Sequence, residues 1–156
     1  MKDPELLRTS IQRRLLDAKR HLAALDAAVA QFGSEFEADA FDAAWQSREP
    51  PELHRAYAVQ AGYENVINAI VAAGSELCEL KGWGTGSSSS VEVLRLLHEN
   101  GVIGAQVRHK LKDAQELRSN VQHDYANVAA REVHEAVLLV LEAAPSMIQD
   151  AALEVR

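Results

Sequence analysis

Apolar residues in this chain return at helical intervals, and no segment alternates with period two over a useful length. Leu7, Ile11, Leu15, Leu22, Leu25 and Val29 follow one another mostly three, four or seven apart, which puts them on one stripe of a helix. A half-buried strand needs strict alternation, so this spacing excludes sheet as the main element. The fold class is therefore all-α, read most simply as an antiparallel helical bundle of four to six helices around one core. Frequent alanine and leucine, with aromatics at only 5%, support the same choice. At 156 residues, 47% of them hydrophobic, residues 1–156 form a single domain that buries about two thirds of its unfolded surface.

Breakers and caps divide the chain. Asp3-Pro4 opens a first helix that Gly33 ends. Ser34 and Glu37 have capping-box spacing for a short second helix carrying Phe36, Phe41 and Trp45, and Pro50-Pro51 interrupts the chain again. A long helix is expected over residues 53–80. On one face of it Gln60, Glu64 and Asn68 recur at i, i+4 and i+8, a spacing that a solvated face also produces. The glycine- and serine-rich residues 82–90 read as a loop. Ser89 and Glu92 cap a helix over 91–100, which Asn100-Gly101 stops. Another helix spans 104–117. The last begins at an Asn127 cap, and Pro145 bends or ends it, leaving a tail with room for one short amphipathic turn.

Several functions are excluded. The net charge of −7 does not suit a generic nucleic-acid coat, although it leaves room for a locally basic site. No apolar run approaches the ~20 residues of a membrane span, the N-terminus lacks a signal peptide's apolar core, and Cys78 alone cannot form an intramolecular disulfide. These features point to a cytoplasmic protein. Gly-x-Ser-x-Gly is absent, and the glycine loop lacks the Gly-Lys-Ser/Thr of a P-loop. Cys78 reads as a structural thiol, and His21, His54, His98 and His134 are scattered without a metal-ligand pair. No metal or cofactor is expected.

The segment RSNVQHDY, 118–125, is different. Arg118 is permanently charged and presents a planar fork that matches phosphate oxygens. His123 titrates near neutrality and can move a proton, Asn120 can donate to developing negative charge, and Tyr125 offers a phenol. On an unbroken helix Arg118 and His123 stand about 140° apart. A helix end near Ser119 or Asn120 would let them converge, and the turn-forming asparagines support such a break. Just upstream, Arg108, His109, Lys110 and Lys112 give an acidic chain a local basic face suited to a polyanion.

Arg118-x4-His123-x-Tyr125 before the last long helix resembles the signature of the HEPN superfamily, in particular its HepT-like ribonuclease toxins. Residues 57–141 carry the resemblance. YAVQAGYENVINAIVAAGSEL is similar to the family's long core helix, with Gln60 and Glu64 at its recurring polar positions, and residues 90–125 resemble the segment leading into the motif. The resemblance implies a two-fold homodimer whose two motifs face each other across one cleft. It implies a metal-independent endoribonuclease for messenger or transfer RNA, with Arg118 binding phosphate and transition state, His123 as general acid/base, and the ribose 2′-hydroxyl as nucleophile. It implies a toxin of a type VII-like toxin–antitoxin pair, silenced when a minimal nucleotidyltransferase antitoxin (MntA-like) transfers AMP to Tyr125. Many members place asparagine directly after the arginine. Here Ser119 stands there and Asn120 follows, so either could supply the polar helper.

Two other readings compete with the nuclease. Related bundles with a similar segment serve as non-catalytic substrate-binding partners of nucleotidyltransferases, and a plain helical dimer could use the motif only as a hydrogen-bonded junction.

Overall fold

Asp3 caps the first helix by accepting the Glu5 amide at 2.8 Å, and Pro4 occupies the first turn, where its missing N–H costs nothing. In this computed structural model, which describes residues 2–84, 89–123 and 130–156 (with side chains of the middle range described as far as Ser119), six α-helices are found among the described residues. They are α1 (Pro4–Val29), α2 (Ala38–Gln46), α3 (Pro50–Lys81), α4 (Ser90–Glu99), α5 (Ala105–His123) and α6 (Ala130–Val155). A 3₁₀ turn, Ala30–Phe32, extends α1 to Gly33, whose φ of 96° favours glycine. The all-α expectation holds.

The stripe of α1 is buried much as its spacing requires, with Leu7, Ile11, Leu15, Leu25 and Val29 in the core and Leu22 partly buried against it. It packs antiparallel on α3. Arg14 Nε meets Glu76 Oε1 at 2.8 Å near one end, and at the other a Cβ on Gly62 would stand 3.1 Å from Leu25. α6 closes the bundle, burying Val133, Val137, Val140, Met147 and Ile148. The guanidinium of Arg8 donates to the Val155 carbonyl at 2.9 Å, and Lys110 ties α5 to Glu142 of α6 at 3.0 Å.

Four boundaries differ from expectation. Ser34 and Glu37 form no capping box: Glu37 is the N-cap of α2 without a side-chain bond, and Phe36 takes a positive φ of 54° in the intervening turn. There His134 Nε2 donates to the Phe36 carbonyl at 2.6 Å, and the two rings stack at 4.4 Å. Pro50-Pro51 does interrupt the chain, but by starting α3 three residues earlier than expected. Pro145 lies inside α6 and does not end it, so the tail belongs to that helix. Burial of Ala144, Met147, Ile148, Ala151 and Val155 on both sides offsets a penalty of about 3 kcal/mol for an interior proline. Finally, α5 runs through Ser119 and Asn120 to His123 rather than ending at 117. Serine and asparagine inside a helix cost only a fraction of a kcal/mol each, too little to force an end. The proposed Asn127 cap lies outside the described residues.

Ser89 caps α4 as expected, accepting the Glu92 amide at 3.2 Å. By length and mean hydropathy α6 could cross a membrane, although it holds no long uninterrupted apolar run, yet eleven of its residues are buried in the bundle, with Leu138 and Leu153 exposed.

Candidate functional site

Three elements meet at Arg118. α3 contributes its polar row, α4 its first residue, and α5 the arginine itself. A cleft of about 220 Å³ is lined there by Asn68, Ser75, Ser90, Gln115 and Arg118 over an apolar floor from α3. Gln115 and Arg118 are three apart on α5 and therefore share a face. Both are half-buried, and Arg118 Nε and Gln115 Oε1 are buried without a hydrogen-bond partner among the described residues.

Tyr63 lies beside this group. Its ring is fully buried in the core, and its hydroxyl also finds no partner among the described residues. Burial pushes its phenol well above the ordinary tyrosine range, the Glu64 carboxylate adds to that, and the Arg118 guanidinium pulls the other way. The hydroxyl is thus within electrostatic reach of one anion and one cation. By spacing alone Tyr63 falls on the buried apolar face of α3.

The expected polar row is only partly assembled. Asn68 is exposed and lines the Arg118 cleft, and Glu64 acts on Tyr63, while Gln60 is half-buried and outside the cleft lining. The basic face of α5 divides. Arg108, His109 and Lys112 line a second cleft of about 330 Å³ with His98 of α4. Lys110 turns to the opposite side, where Glu142 neutralises it. Inside the second cleft, Lys112 stands 4.0 Å from Glu116, His109 stands 3.3 Å from Asp113, and His98 Nδ1 is 3.1 Å from the Ile103 carbonyl.

Continuity of α5 bears on the motif. The expected break is not there, so the backbone positions of Arg118 and His123 lie about 140° apart around one helix axis. Arg118 faces α3, and within one chain the two positions do not share a face. Ser119 is half-buried and follows Arg118 by about 100°, inside the arc toward His123, whereas Asn120 at about 200° lies beyond it. The side chains of Asn120 and His123 are not among those described, and Tyr125 lies outside the described residues.

Gln115, Ser75, Ser90 and Tyr63 were missed from sequence. A usable signal existed for Gln115, one turn before Arg118, but none for Ser75 and Ser90, which only the packing of α3 against α4 and α5 brings there. Cys78 is buried, and burial pushes its thiol up to about 11, as suits a structural cysteine. A larger cleft of about 460 Å³ between α1 and α6 includes none of the described motif residues.

A family model described as ribonuclease HepT-like matches residues 27–148, a span that includes α2 to α5 and the whole of 118–125. A solved structure of a tri-AMPylated Shewanella oneidensis HEPN toxin in complex with an MNT antitoxin is similar in fold. Its TM-score is 0.71 at 18% identity, covering 96% of this chain and 97% of the other. None of the curated proteins compared with the chain matches it.

Proposed function

This chain belongs to the HepT-like ribonuclease family, and from that premise we propose that it is the endoribonuclease toxin of a two-component system whose partner is a nucleotidyltransferase antitoxin. The observation that carries the reading is a family match that spans Arg118, His123 and Tyr125 together, joined to a cleft in which Arg118 is the only ionised lining residue among the described residues.

Arg118 binds phosphate and neutralises the charge that grows on its oxygens in the transition state. His123 is the general acid/base. The ribose 2′-hydroxyl attacks the adjacent phosphorus, the bond to the 5′-oxygen breaks, and a 2′,3′-cyclic phosphate and a free 5′-hydroxyl remain. This chemistry needs no metal. Ser119 rather than Asn120 is the polar helper, since on a continuous α5 Ser119 stands about 100° from Arg118 and Asn120 about 160°. Since those positions diverge within one helix, the working site needs a second copy of the chain, with the arginine of one meeting the histidine of the other across a two-fold cleft. Arg108 and Lys112 hold RNA beyond the cleavage point. Lys110, already paired with Glu142, contributes little to that grip.

AMP transfer to Tyr125 by the antitoxin adds bulk and negative charge where RNA phosphate must bind, and so silences the enzyme. The structurally similar Shewanella toxin is itself tri-AMPylated and held by an MNT antitoxin. Both partners act in the cytosol.

Expression without the antitoxin tests the reading. Wild type should arrest growth and fragment cellular RNA, and His123→Ala should do neither. Equal toxicity of the two removes His123 from the mechanism.

The second reading, a non-catalytic partner of a nucleotidyltransferase, draws support from the same divergence of Arg118 and His123. A chain that stays monomeric beside its partner, and leaves RNA intact when free of AMP, would establish it.

A further inference from the structure

The cleft beside Arg118 faces α3 and the start of α4, on a different side of α5 from the backbone position of the same chain's His123. Its described lining carries one guanidinium, two hydroxyls (Ser75 and Ser90), two carboxamides (Asn68 and Gln115) and, among the described residues, no carboxylate. In a chain with seven more negative than positive charges, a described lining free of acids is informative. Arg118 makes no ion pair with any described residue, although ten pairs of a lysine or arginine with a carboxylate occur among them.

Ser90 is the first residue of the ten-residue α4. The Ser89 hydroxyl takes the Glu92 amide, so the amides of Ser90 and Val91 have no acceptor within the helix. The positive end of the α4 dipole therefore opens beside the guanidinium. Behind the lining, Arg118 Nε is buried without a partner among the described residues, so no hydrogen bond to them fixes that edge of the guanidinium. A volume of about 220 Å³ is below that of a drug-sized pocket and suits one phosphate with part of its sugar.

We propose that the cleft formed by Asn68, Ser75, Ser90, Gln115 and Arg118 is a subsite for one backbone phosphate of single-stranded RNA, gripped by the guanidinium and the α4 N-terminus together. The inference rests on the RNA-cleaving reading and extends it. Arg118 holds a phosphate on the α3 side of its own chain, and Ser75 and Ser90 are binding residues in their own right. Asn68 and Gln115 border the same phosphate, where their amides can contact the attached nucleoside.

The experiment places a carboxylate in the cleft. Ser90→Asp puts an anion at the N-terminus of α4, where it favours the helix, so the variant should melt no lower than wild type. Ser90→Asn is its neutral control. Both are made in the His123→Ala background, and binding to a fluorescent single-stranded RNA oligonucleotide is followed by anisotropy over a range of salt concentrations. Ser90→Asp is expected to weaken binding at least tenfold and to flatten the dependence of log affinity on log salt by about 0.7, the share of one lost phosphate contact. Ser90→Asn should lose less than threefold. Ser75→Asp against Ser75→Asn repeats the comparison from α3. Equal affinity of the Asp and Asn variants, or no binding of this RNA by the parent, overturns the subsite. RNA binding that Ser90→Asp weakens, in a protein whose parent with His123 intact does not cleave, keeps the subsite and removes the nuclease. Cleavage that Ser90→Asp leaves untouched does the reverse.

Discussion

Replacing Tyr63 with phenylalanine removes one oxygen from the centre of the protein and leaves the ring. That oxygen is buried and has no partner among the described residues. Burying an unpaired hydroxyl costs roughly 1–3 kcal/mol, so its loss should stabilise the fold, by about 1 kcal/mol once relaxation is allowed for. In a chain of this length that is about 2–4 °C in Tm. The pH dependence gives a second check. Burial and Glu64 hold the folded phenol above its unfolded value of 10.0. Above pH 10 the unfolded chain releases the proton while the folded chain keeps it, so wild-type stability must fall as pH rises. The slope is about 1.4 kcal/mol per pH unit until the folded phenol itself ionises. Tyr57 and Tyr125 are common to both proteins and cancel. Urea unfolding at pH 7 and pH 11 should therefore show the advantage of Tyr63→Phe growing by about 1.4 kcal/mol. A variant at least 1 kcal/mol less stable than wild type at pH 7 would mean that the hydroxyl has a partner. Parallel behaviour above pH 10 would mean that the phenol is not protected.

The Cys78 thiol, pushed up to about 11 by burial, should resist a disulfide reagent at pH 8 in the native protein and react once urea unfolds the chain. Fast stoichiometric reaction without denaturant would contradict its place in the core. His134→Ala removes both the bond to the Phe36 carbonyl and the stacked ring, and should cost about 2 kcal/mol in urea unfolding. A loss under 0.5 kcal/mol would show that the turn holds Phe36 without it. Lys110 and Arg108 occupy different sides of α5, so Lys110→Ala should leave RNA affinity within twofold and Arg108→Ala should reduce it several-fold. The opposite order would restore the undivided basic face.

Local chemistry explains which parts of this fold could be read ahead of the structure. Asp3-Pro4 and Ser89–Glu92 act through bonds within four residues, and both caps form. The stripe of α1 is set by periodicity, and all of it but the partly buried Leu22 lies in the core. Misreadings arise where distant packing decides. Ser34 and Glu37 have the spacing of a cap, but Phe36 turns into the aromatic cluster with Phe32 and Phe41, and the backbone follows it. Pro145 reads as a terminator until α6 is seen buried on both sides of it. Residues 118–123 contain turn-forming types, yet their propensities are too weak to end a helix. The same holds for the site. Arg118 is legible from its type and motif, while Ser75, Ser90 and Tyr63 come to it from helices 28 to 55 residues upstream, with no pattern in the chain to announce them.

The most direct test of the central claim is cleavage of RNA by purified protein that mass spectrometry shows to be free of AMP. Wild type without added metal should cut single-stranded RNA and leave 2′,3′-cyclic phosphate ends. Arg118→Ala and His123→Ala should each fall by at least a hundredfold, and wild type bearing AMP on Tyr125 should be equally silent. Intact RNA with AMP-free wild type, or undiminished cutting by either alanine variant, would contradict the account.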